Sequence, residues 1–556
     1  MWTKTIFFAV AAATAAFQPM TTTPALAADP SGVYLGDIPA SEYPPDANRR
    51  FEQRGQRILE FMAKTPQPPW GPGHGVDFWE TTIAKLAVGR AADVEAANRV
   101  FLGPNVGVFG KVGSDFHDVF FCQRTGDYDF LLRGLVELFY HFGDNPKLIW
   151  PETRAKLITL LSQRGNQVLT RVGFGLCGTY DETENHVLQT EVSRYLTNQI
   201  LVREDVKRGR YDATVDNEAN GMNRWMLFHL QQFFKNDFSE YNSRPYQAYT
   251  VLAIQTLYEF AADRRVKLAA EMLLNYLDAR FAVGSNNLRH YVPFRRQPGY
   301  KDRTDLLQID DESQRFILMA GNTQLFDELP NPGWLDFGFS RLEQPALGKY
   351  RTPELILDVA MNKTHNVYFQ AFRHKGFEAF ASSPNFLITA GGISLKIWRW
   401  WTNQMYGWAV PTTLMPTLGG LDAKSFIRIE GHQDDMKRAN TCVAPGFACG
   451  LNPVVPASIP ASCLSHEDGA WTFVDFTDER CPLHYGFYAA IYSAPCDTQR
   501  CRDGGGRFGF FEAAEPYHAL TFGEFRNRVL ANNGGREFRS ERENEYVTSD
   551  GRSIRF

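Results

Sequence analysis

Four residue types that together perform proton chemistry on an acidic substrate occur at two places in the chain. Asn185 and His186 are adjacent in DETENHVLQTEVSRYL (181–196), and Arg244, Tyr246 and Tyr249 fall within EYNSRPYQAY (240–249). An imidazole exchanges protons near neutral pH. An amide or a guanidinium donates hydrogen bonds to an oxyanion as its charge develops. The set suits β-elimination from a uronic acid, in which the proton to be removed lies α to a carboxylate whose charge opposes carbanion formation. In that scheme Asn185, helped by Arg244 or by the positive end of a helix, stabilises the enolate-like dianion, and His186 takes the C5 proton. Tyr246 protonates the leaving glycosidic oxygen, or acts as base if the stereochemistry is reversed. No metal and no organic cofactor is required, and no cysteine-based metal spacing is present.

The elements that position these residues are helices. Asp181 or Thr183 can cap the helix that contains Asn185 and His186, and Leu188, Val192, Tyr195, Leu196 and Ile200 form its buried stripe. Ser243 or Arg244 precedes Pro245, which fits a first helical position, and Tyr246 and Tyr249 then share a helix face. One further helix, 219–235, separates the two. If neighbours run antiparallel, 184–203 and 245–262 run in the same direction and their N-termini emerge at one end, where free N–H groups favour an anion. Each feature also has a plainer role. An Asn-His pair in a first turn is often a cap, a Tyr pair is often packing, Arg244 can pair with Glu240, and Trp225 and His229 fit a core or an outer surface. The combination at one rim favours chemistry. Around it, Tyr249, Glu240, Asn242, Arg289 and Arg295 are the candidates for substrate contact, the last two within the basic stretch LRHYVPFRRQPGYKDR.

The wider pattern has two parts. Amphipathic helical segments recur at 49–65, 78–101, 127–143, 151–169, 184–203, 219–235, 245–262 and 264–282, with a further pair near 310–320 and 353–361. Pro151, Pro245 and Pro353 mark helix starts. After residue 365 the pattern alternates, as in NVYFQAFRHKGFEAFASSPNFLITAGG, SFIRIEG, WTFVDFTD, HYGFYAAIYS and GRFGFFEAAE. Helices followed by strands imply a multidomain α+β chain: an N-terminal (α/α) toroid or incomplete barrel over 28–364, then an antiparallel β-sandwich over 365–556 with a cysteine-rich insert.

The chain's 556 residues exceed what one compact core accommodates. Residues 1–27 read as a signal peptide: Lys4, the apolar run IFFAVAAATAAF and a small-residue site at ALA (25–27). No later apolar run is long enough to span a bilayer, so an exported protein, periplasmic or secreted and without membrane insertion, is expected. The net charge of −5 gives no general attraction to nucleic acid. Eight cysteines in an exported chain suggest disulfides. Cys122 is expected to pair with Cys177 and the remaining six among themselves, with CVAPGFAC and CDTQRC as short closed loops.

The TENH start, the YLTNQIL helix, the EYNSRPY and LYEFAAD stretches and the helix ending LDARFA resemble exported heparinase- and alginate-lyase-like proteins with a helical toroid followed by a sandwich. The resemblance covers mainly residues 125–300. It implies a polysaccharide lyase in which Asn185 and His186, Tyr246 or Tyr249, and Arg244 perform the elimination on an anionic polysaccharide or oligosaccharide. Alignment on the proline favours Tyr246, and alignment on the apolar run favours Tyr249. Two other functions fit parts of the sequence. An inverting glycoside hydrolase would draw a carboxylate pair from Asp181, Glu182, Glu184, Asp237 and Glu240. A non-catalytic carbohydrate-binding envelope protein would stack sugars on aromatic runs such as IWRWWTNQMYGW (397–408).

Overall fold

The computed structural model describes residues 47–70, 76–107, 112–113, 128–164, 172–173, 179–180, 182–243, 246–287, 289–291, 315, 341–361, 363, 368–373, 376–391, 397–399, 404–406, 411–419, 422–431, 441–467, 470–496, 498–499, 501, 506–516, 520–538 and 544–556. The chain is mixed α+β, with helices first and antiparallel sheets after. The helical part comprises α1 (Ala47–Met62), α2 (Val76–Val88), α3 (Ala91–Phe101), α4 (Tyr128–Phe142), α5 (Pro151–Arg164) and α6 (Glu184–Lys207). It continues with α7 (Met222–Asn236), α8 (Tyr246–Phe260), α9 (Arg264–Gly284) and the short α10 (Glu343–Leu347) and α11 (Glu354–Met361). The segment expected as one helix over 78–101 is two, because Gly89 turns left-handed (φ 71°) and Arg90 is extended ahead of α3. Pro151 opens α5 and Pro353 directly precedes α11, as their fixed φ favours. The helix expected near 310–320 lies outside the described residues apart from Arg315.

Helices α4, α6 and α8 are buried on nearly every face, whereas α7 shows solvent a face that includes Trp225 and Phe228. Their side-chain contacts fix their direction. Asp129 meets His186 near the start of α4 and α6, and Tyr140 donates to the Leu196 carbonyl (3.0 Å) further along both. Likewise Gln189 donates to the Tyr249 carbonyl, and Gln199 to that of Phe260 (2.9 Å). A constant offset at both ends requires parallel helices. The N-termini of α4, α6 and α8 therefore lie at one end, as the sequence implied for the last two.

Four short strands lie within the helical part: β1 (Val172–Gly173), β2 (Thr179–Tyr180), β3 (Ser285–Asn286) and β4 (Arg289–His290). The first large sheet has the order β14-β11-β10-β7-β6-β5, from β5 (Tyr368–Arg373), β6 (Gly376–Ser382), β7 (Phe386–Gly391), β10 (Thr412–Pro416), β11 (Arg428–Ile429) and β14 (Pro453–Val454). A hairpin of β8 (Ile397–Arg399) and β9 (Gln404–Tyr406) is inserted within the aromatic run. The second sheet has the order β12-β13-β18-β17-β16-β15, from β12 (Thr441–Ala444), β13 (Phe447–Leu451), β15 (Leu464–Glu467), β16 (Trp471–Asp475), β17 (Tyr488–Pro495) and β18 (Arg507–Ala514). Ala381, Ile388 and Leu414 of the first sheet share one apolar cluster with Val474, Ile491 and Phe511 of the second. Strand alternation sends Tyr488, Ala490 and Tyr492 to the opposite face, against Phe525 and Val529 of α12 (Phe522–Asn533). The small hairpin of β19 (Glu545–Val547) and β20 (Ser553–Arg555) follows, and its Tyr546 joins the same cluster.

The three cysteine pairs Cys442–Cys449, Cys463–Cys481 and Cys496–Cys501 are disulfides, two of them the short loops read from the sequence. Cys122, Cys177 and residues 1–27 lie outside the described residues. No described helix is long and apolar enough to cross a membrane.

The helical and sheet parts meet at Arg280 of α9. Its guanidinium donates to Asp237 (2.6 Å) and to both carboxylate oxygens of Glu378 on β6 (2.6 Å each), and it lies 3.4 Å from the Tyr241 ring centroid. At the end of α9 a Cβ on Gly284 would fall 2.8 Å from the Phe380 ring, so only glycine admits that packing.

Candidate functional site

His186 is the third residue of α6 and is only 5% exposed. Its Nδ1 lies 2.9 Å from Asp129 Oδ2, on the first turn of α4, and Asp129 Oδ1 accepts the Gly113 N–H at 2.8 Å. A carboxylate only accepts, so Nδ1 carries the hydrogen and the ring's basic lone pair sits on Nε2. The Phe130 ring lies between the two side chains of interest: its centroid is 4.9 Å from that of His186 and 4.2 Å from that of Tyr249. Tyr249, on the first turn of α8 and 7% exposed, accepts a hydrogen bond at its hydroxyl from Arg341 Nη2 (3.2 Å). The Arg341 guanidinium also lies 4.6 Å from the Tyr249 ring centroid. Arg341 sits just before α10 with a left-handed φ of 76°, a conformation that a non-glycine residue holds only where its surroundings enforce it.

Asn185 is fully buried and belongs to a locking arrangement between α6 and the loop before α8. Its backbone N–H and its Nδ2 both donate to Glu240 Oε2, at 3.2 and 2.5 Å, and Nδ2 also reaches Thr183 Oγ1 at 3.1 Å. In return, Glu184 accepts the backbone N–H groups of Ser239 (2.6 Å) and Glu240 (2.7 Å). Thr183 occupies the N-cap position but caps nothing with its side chain; the Glu240 carboxylate serves that end of the helix instead. The amide nitrogen must face Glu240, because an amide oxygen there would oppose a carboxylate. The donor expected for a substrate carboxylate is thus already engaged, and Asn185 Oδ1 is buried with no hydrogen-bond partner among the described residues.

The loop 237–243 that presents Glu240 is itself over-determined. Asp237 has φ 64° and ψ 173°, a region natural to glycine, and is held by Arg280 and by the Tyr276 hydroxyl (3.2 Å). Asn242 (φ 51°) donates through its side chain to the Tyr291 carbonyl at 2.5 Å, and its N–H is taken by Gln247.

The other expected site residues divide. Tyr246 is half-buried at the first position of α8, one turn from Tyr249. Arg289 is 2% exposed and donates to the carbonyls of Asn286, Pro416, Thr417 and Gly419, so it pins β4 to the first sheet. Burial pulls its guanidinium down to about 10. Arg244 and Arg295 lie outside the described residues. Trp225 stacks on His229 (centroids 4.8 Å apart) at the surface of α7, with burial pulling His229 down to about 4.

Asp129, Phe130 and Arg341 are the members that sequence reasoning passed over. Asp129 begins a helix that reads as amphipathic, and Arg341 stands 92 residues beyond its tyrosine; neither is near a motif. Among the described residues, no group of three or more His, Cys, Asp or Glu side chains is arranged to hold a metal ion. The site thus offers an oriented imidazole, a phenol under a guanidinium and the N-terminal ends of two helices. The chain matches no protein-family model, no curated protein and no solved structure.

Proposed function

We propose that the protein is a polysaccharide lyase that cleaves a uronate-containing chain by β-elimination, on a helical toroid followed by a β-sandwich. The observation that carries this reading is the meeting of two proton-transfer groups on one aromatic ring, His186 oriented by Asp129 and Tyr249 covered by Arg341. His186 Nε2 removes the proton α to the uronate carboxylate. The electron pair left behind forms the new carbon–carbon double bond as the C–O bond to the leaving sugar breaks. The Tyr249 phenol gives its proton to the departing oxygen. Arg341 and the N-terminal ends of α6 and α8 stabilise the charge that builds on the carboxylate. Asn185 holds Glu240, and through it the loop that leads into α8. Of the two candidate phenols, Tyr249 has the support of the Phe130 and Arg341 contacts.

A carboxylate-pair hydrolase is less well supported. Glu184 holds two backbone N–H groups, Glu240 holds Asn185, and Asp237 holds Arg280. Each would have to abandon a structural contact to serve as acid or base. The test is a screen of alginate, hyaluronan, heparan and glucuronan types, read by the ultraviolet absorbance of the unsaturated product. At least one polymer should yield that absorbance, and His186→Ala and Tyr249→Phe should abolish it. Shortening without ultraviolet absorbance would make the protein a hydrolase, and binding without shortening would make it a binding protein.

A further inference from the structure

The proposed chemistry leaves unused a second buried group, one helical turn deeper along α4. Asp129, Arg133 and Glu137 follow at four-residue steps, so they share one stripe of the helix. Arg133 and Glu137 are 1% and 0% exposed. Arg133 Nη1 donates to Glu137 Oε2 at 2.7 Å and lies 3.2 Å from Thr256 Oγ1 and 3.4 Å from Gln344 Oε1. The guanidinium rests 4.3 Å from the Trp79 ring centroid. Next to Gln344 on α10, Glu343 is fully buried, with neither carboxyl oxygen hydrogen-bonded to any described residue, and the charges of Glu137 and Arg133 both act on it. Among the described residues Glu137 Oε1 and Arg133 Nη2 are likewise buried without a hydrogen-bond partner, with His141 Nε2 4.0 Å from Glu137 Oε1.

One guanidinium thus faces two carboxyl groups away from water. It offsets one carboxylate; a second ionised carboxylate would leave a net buried charge, which is costly. One proton therefore stays with the pair. Burial, reinforced by the charge of Glu137, pushes Glu343 up to about 8, and burial pushes Glu137 up to about 7 against the pull of Arg133. The buried and half-buried charged or titratable groups on the helices that touch α10 include Arg50 and Arg54 on α1, Glu80 and Lys85 on α2, Asp129, Arg133, Glu137 and His141 on α4, and Glu259 on α8. Burial pulls His141, 4.0 Å from Glu137, down to about 4, so it is neutral where the pair titrates. Lys85 is turned onto Ala63 O and Asp93, and Glu259 accepts the N–H groups of Lys349 and Tyr350. On the segment itself, Arg341 acts on Glu343 and favours its ionised form.

The same short segment carries Arg341 to Tyr249. Its far end is tied to α9, where Asp278 accepts from Thr352 Oγ1 (2.5 Å) and lies 2.8 Å from the Tyr350 hydroxyl. We propose that Glu343 is a positioning residue: while it keeps its proton it docks residues 341–347 against Glu137 and Arg133 and so holds Arg341 on Tyr249, and loss of that proton releases the segment and withdraws Arg341 from the site. The regulatory consequence rests on Tyr249 and Arg341 belonging to the catalytic site; the docking step does not.

The experiment is hydrogen exchange on the full chain from pH 5 to 9, with protection at 341–350 corrected for the intrinsic rate, in the wild type, Glu343→Gln and Glu137→Gln. A docked carboxylic acid that ionises on release makes wild-type protection fall about tenfold per pH unit between about pH 5 and 8 and then level off. Glu343→Gln, which cannot ionise, should stay protected and flat. Glu137→Gln, which leaves one carboxyl per guanidinium, should show a shallower fall. A flat wild-type profile overturns the proposal, as does a wild-type slope in Glu343→Gln. If Glu343→Gln does not fold, the wild type and Glu137→Gln decide. A profile as expected, in a protein that forms no unsaturated product on any uronate polymer, keeps the proton-held segment and removes the lyase reading.

Discussion

At the scale of single residues, the most informative contact is the one between His186 and Asp129. An imidazole at a helix start is ambiguous by itself, because it can cap, pack or react. A buried carboxylate on Nδ1 removes the ambiguity of tautomer and fixes the ring plane, leaving the ring's lone pair on Nε2, the atom proposed as base. Asp129→Asn keeps the shape of that contact, but its amide can present a donor to Nδ1 and so favour the wrong tautomer. With a turned-over uronate polymer as substrate, kcat should fall by about 100-fold or more while KM stays within a small factor, since proton transfer rather than binding is lost. Equal losses from Asp129→Asn and Asp129→Ala, both with raised KM, would instead make Asp129 a packing residue. Asn185 teaches the complementary lesson. Its type suggested a donor to substrate, yet its amide nitrogen is held by Glu240, a residue 55 positions away.

At the scale of elements, periodicity carried the sequence reading a long way and then stopped for identifiable reasons. The order of helices then strands, the common direction of α6 and α8 and the two short cysteine loops all follow from local pattern. Helix α4 shows where local pattern misleads. Asp129, Arg133 and Glu137 at four-residue steps have the spacing of solvated ion pairs on an exposed face. Here they are buried, because α2, α6 and α8 enclose α4, and no window of α4 alone contains that information. Arg341 was hidden for a similar reason, since its partner lies on α8 and sequence separation conceals the meeting. Helix α12 was not expected among the strands after residue 365, although Thr521 and Glu524 form a reciprocal capping box at its start. The enclosure of α4 also sets a packing constraint. A Cβ on Gly134 would fall 2.3 Å from Trp79 Cγ, the ring that supports Arg133. Gly134→Ala should therefore destabilise the protein by about 1–3 kcal/mol through overpacking, although alanine is the better helix former. Thermal unfolding checks this, and an unchanged or raised Tm would show that Trp79 moves freely.

At the scale of the whole molecule, Arg280 joins the two parts of the chain by linking Asp237, beside the site loop, to Glu378 in the first sheet. Buried ionisable groups distributed across both parts then determine how stability responds to pH, and the sign can be worked out group by group. Burial pulls His141 and His229 down from 6.5 to about 4, so the unfolded chain takes up protons that the native state refuses, and stability is lost as pH falls through that window. Glu137 and Glu343 are pushed up from 4.5 to about 7 and about 8, mainly by burial, so the native state keeps protons that the unfolded chain releases. Their contribution is intact below pH 4.5 and declines as pH rises toward 8. Burial likewise pushes Glu259, Glu512 and Glu515 up, in the same sense. Between about pH 4.5 and 6.5 the histidines and the glutamates oppose one another and the curve is nearly flat. Above about 6.5 the histidines are neutral in both states and the glutamates act alone. Lys363, buried against the Ala282 carbonyl and pulled down from 10.5 to about 7, begins to offset them only above that value. Thermal unfolding should therefore give a Tm that is highest in mildly acidic solution and falls between about pH 6.5 and 8. The Glu137→Gln, Glu343→Gln double variant should flatten that fall and turn the level stretch between about pH 4.5 and 6.5 into a rise, because the histidines then act with less opposition. A wild-type Tm that rises through the same window would mean that the two glutamates do not hold buried protons, because Lys363, the group displaced downward that acts there, can at most cancel one of them.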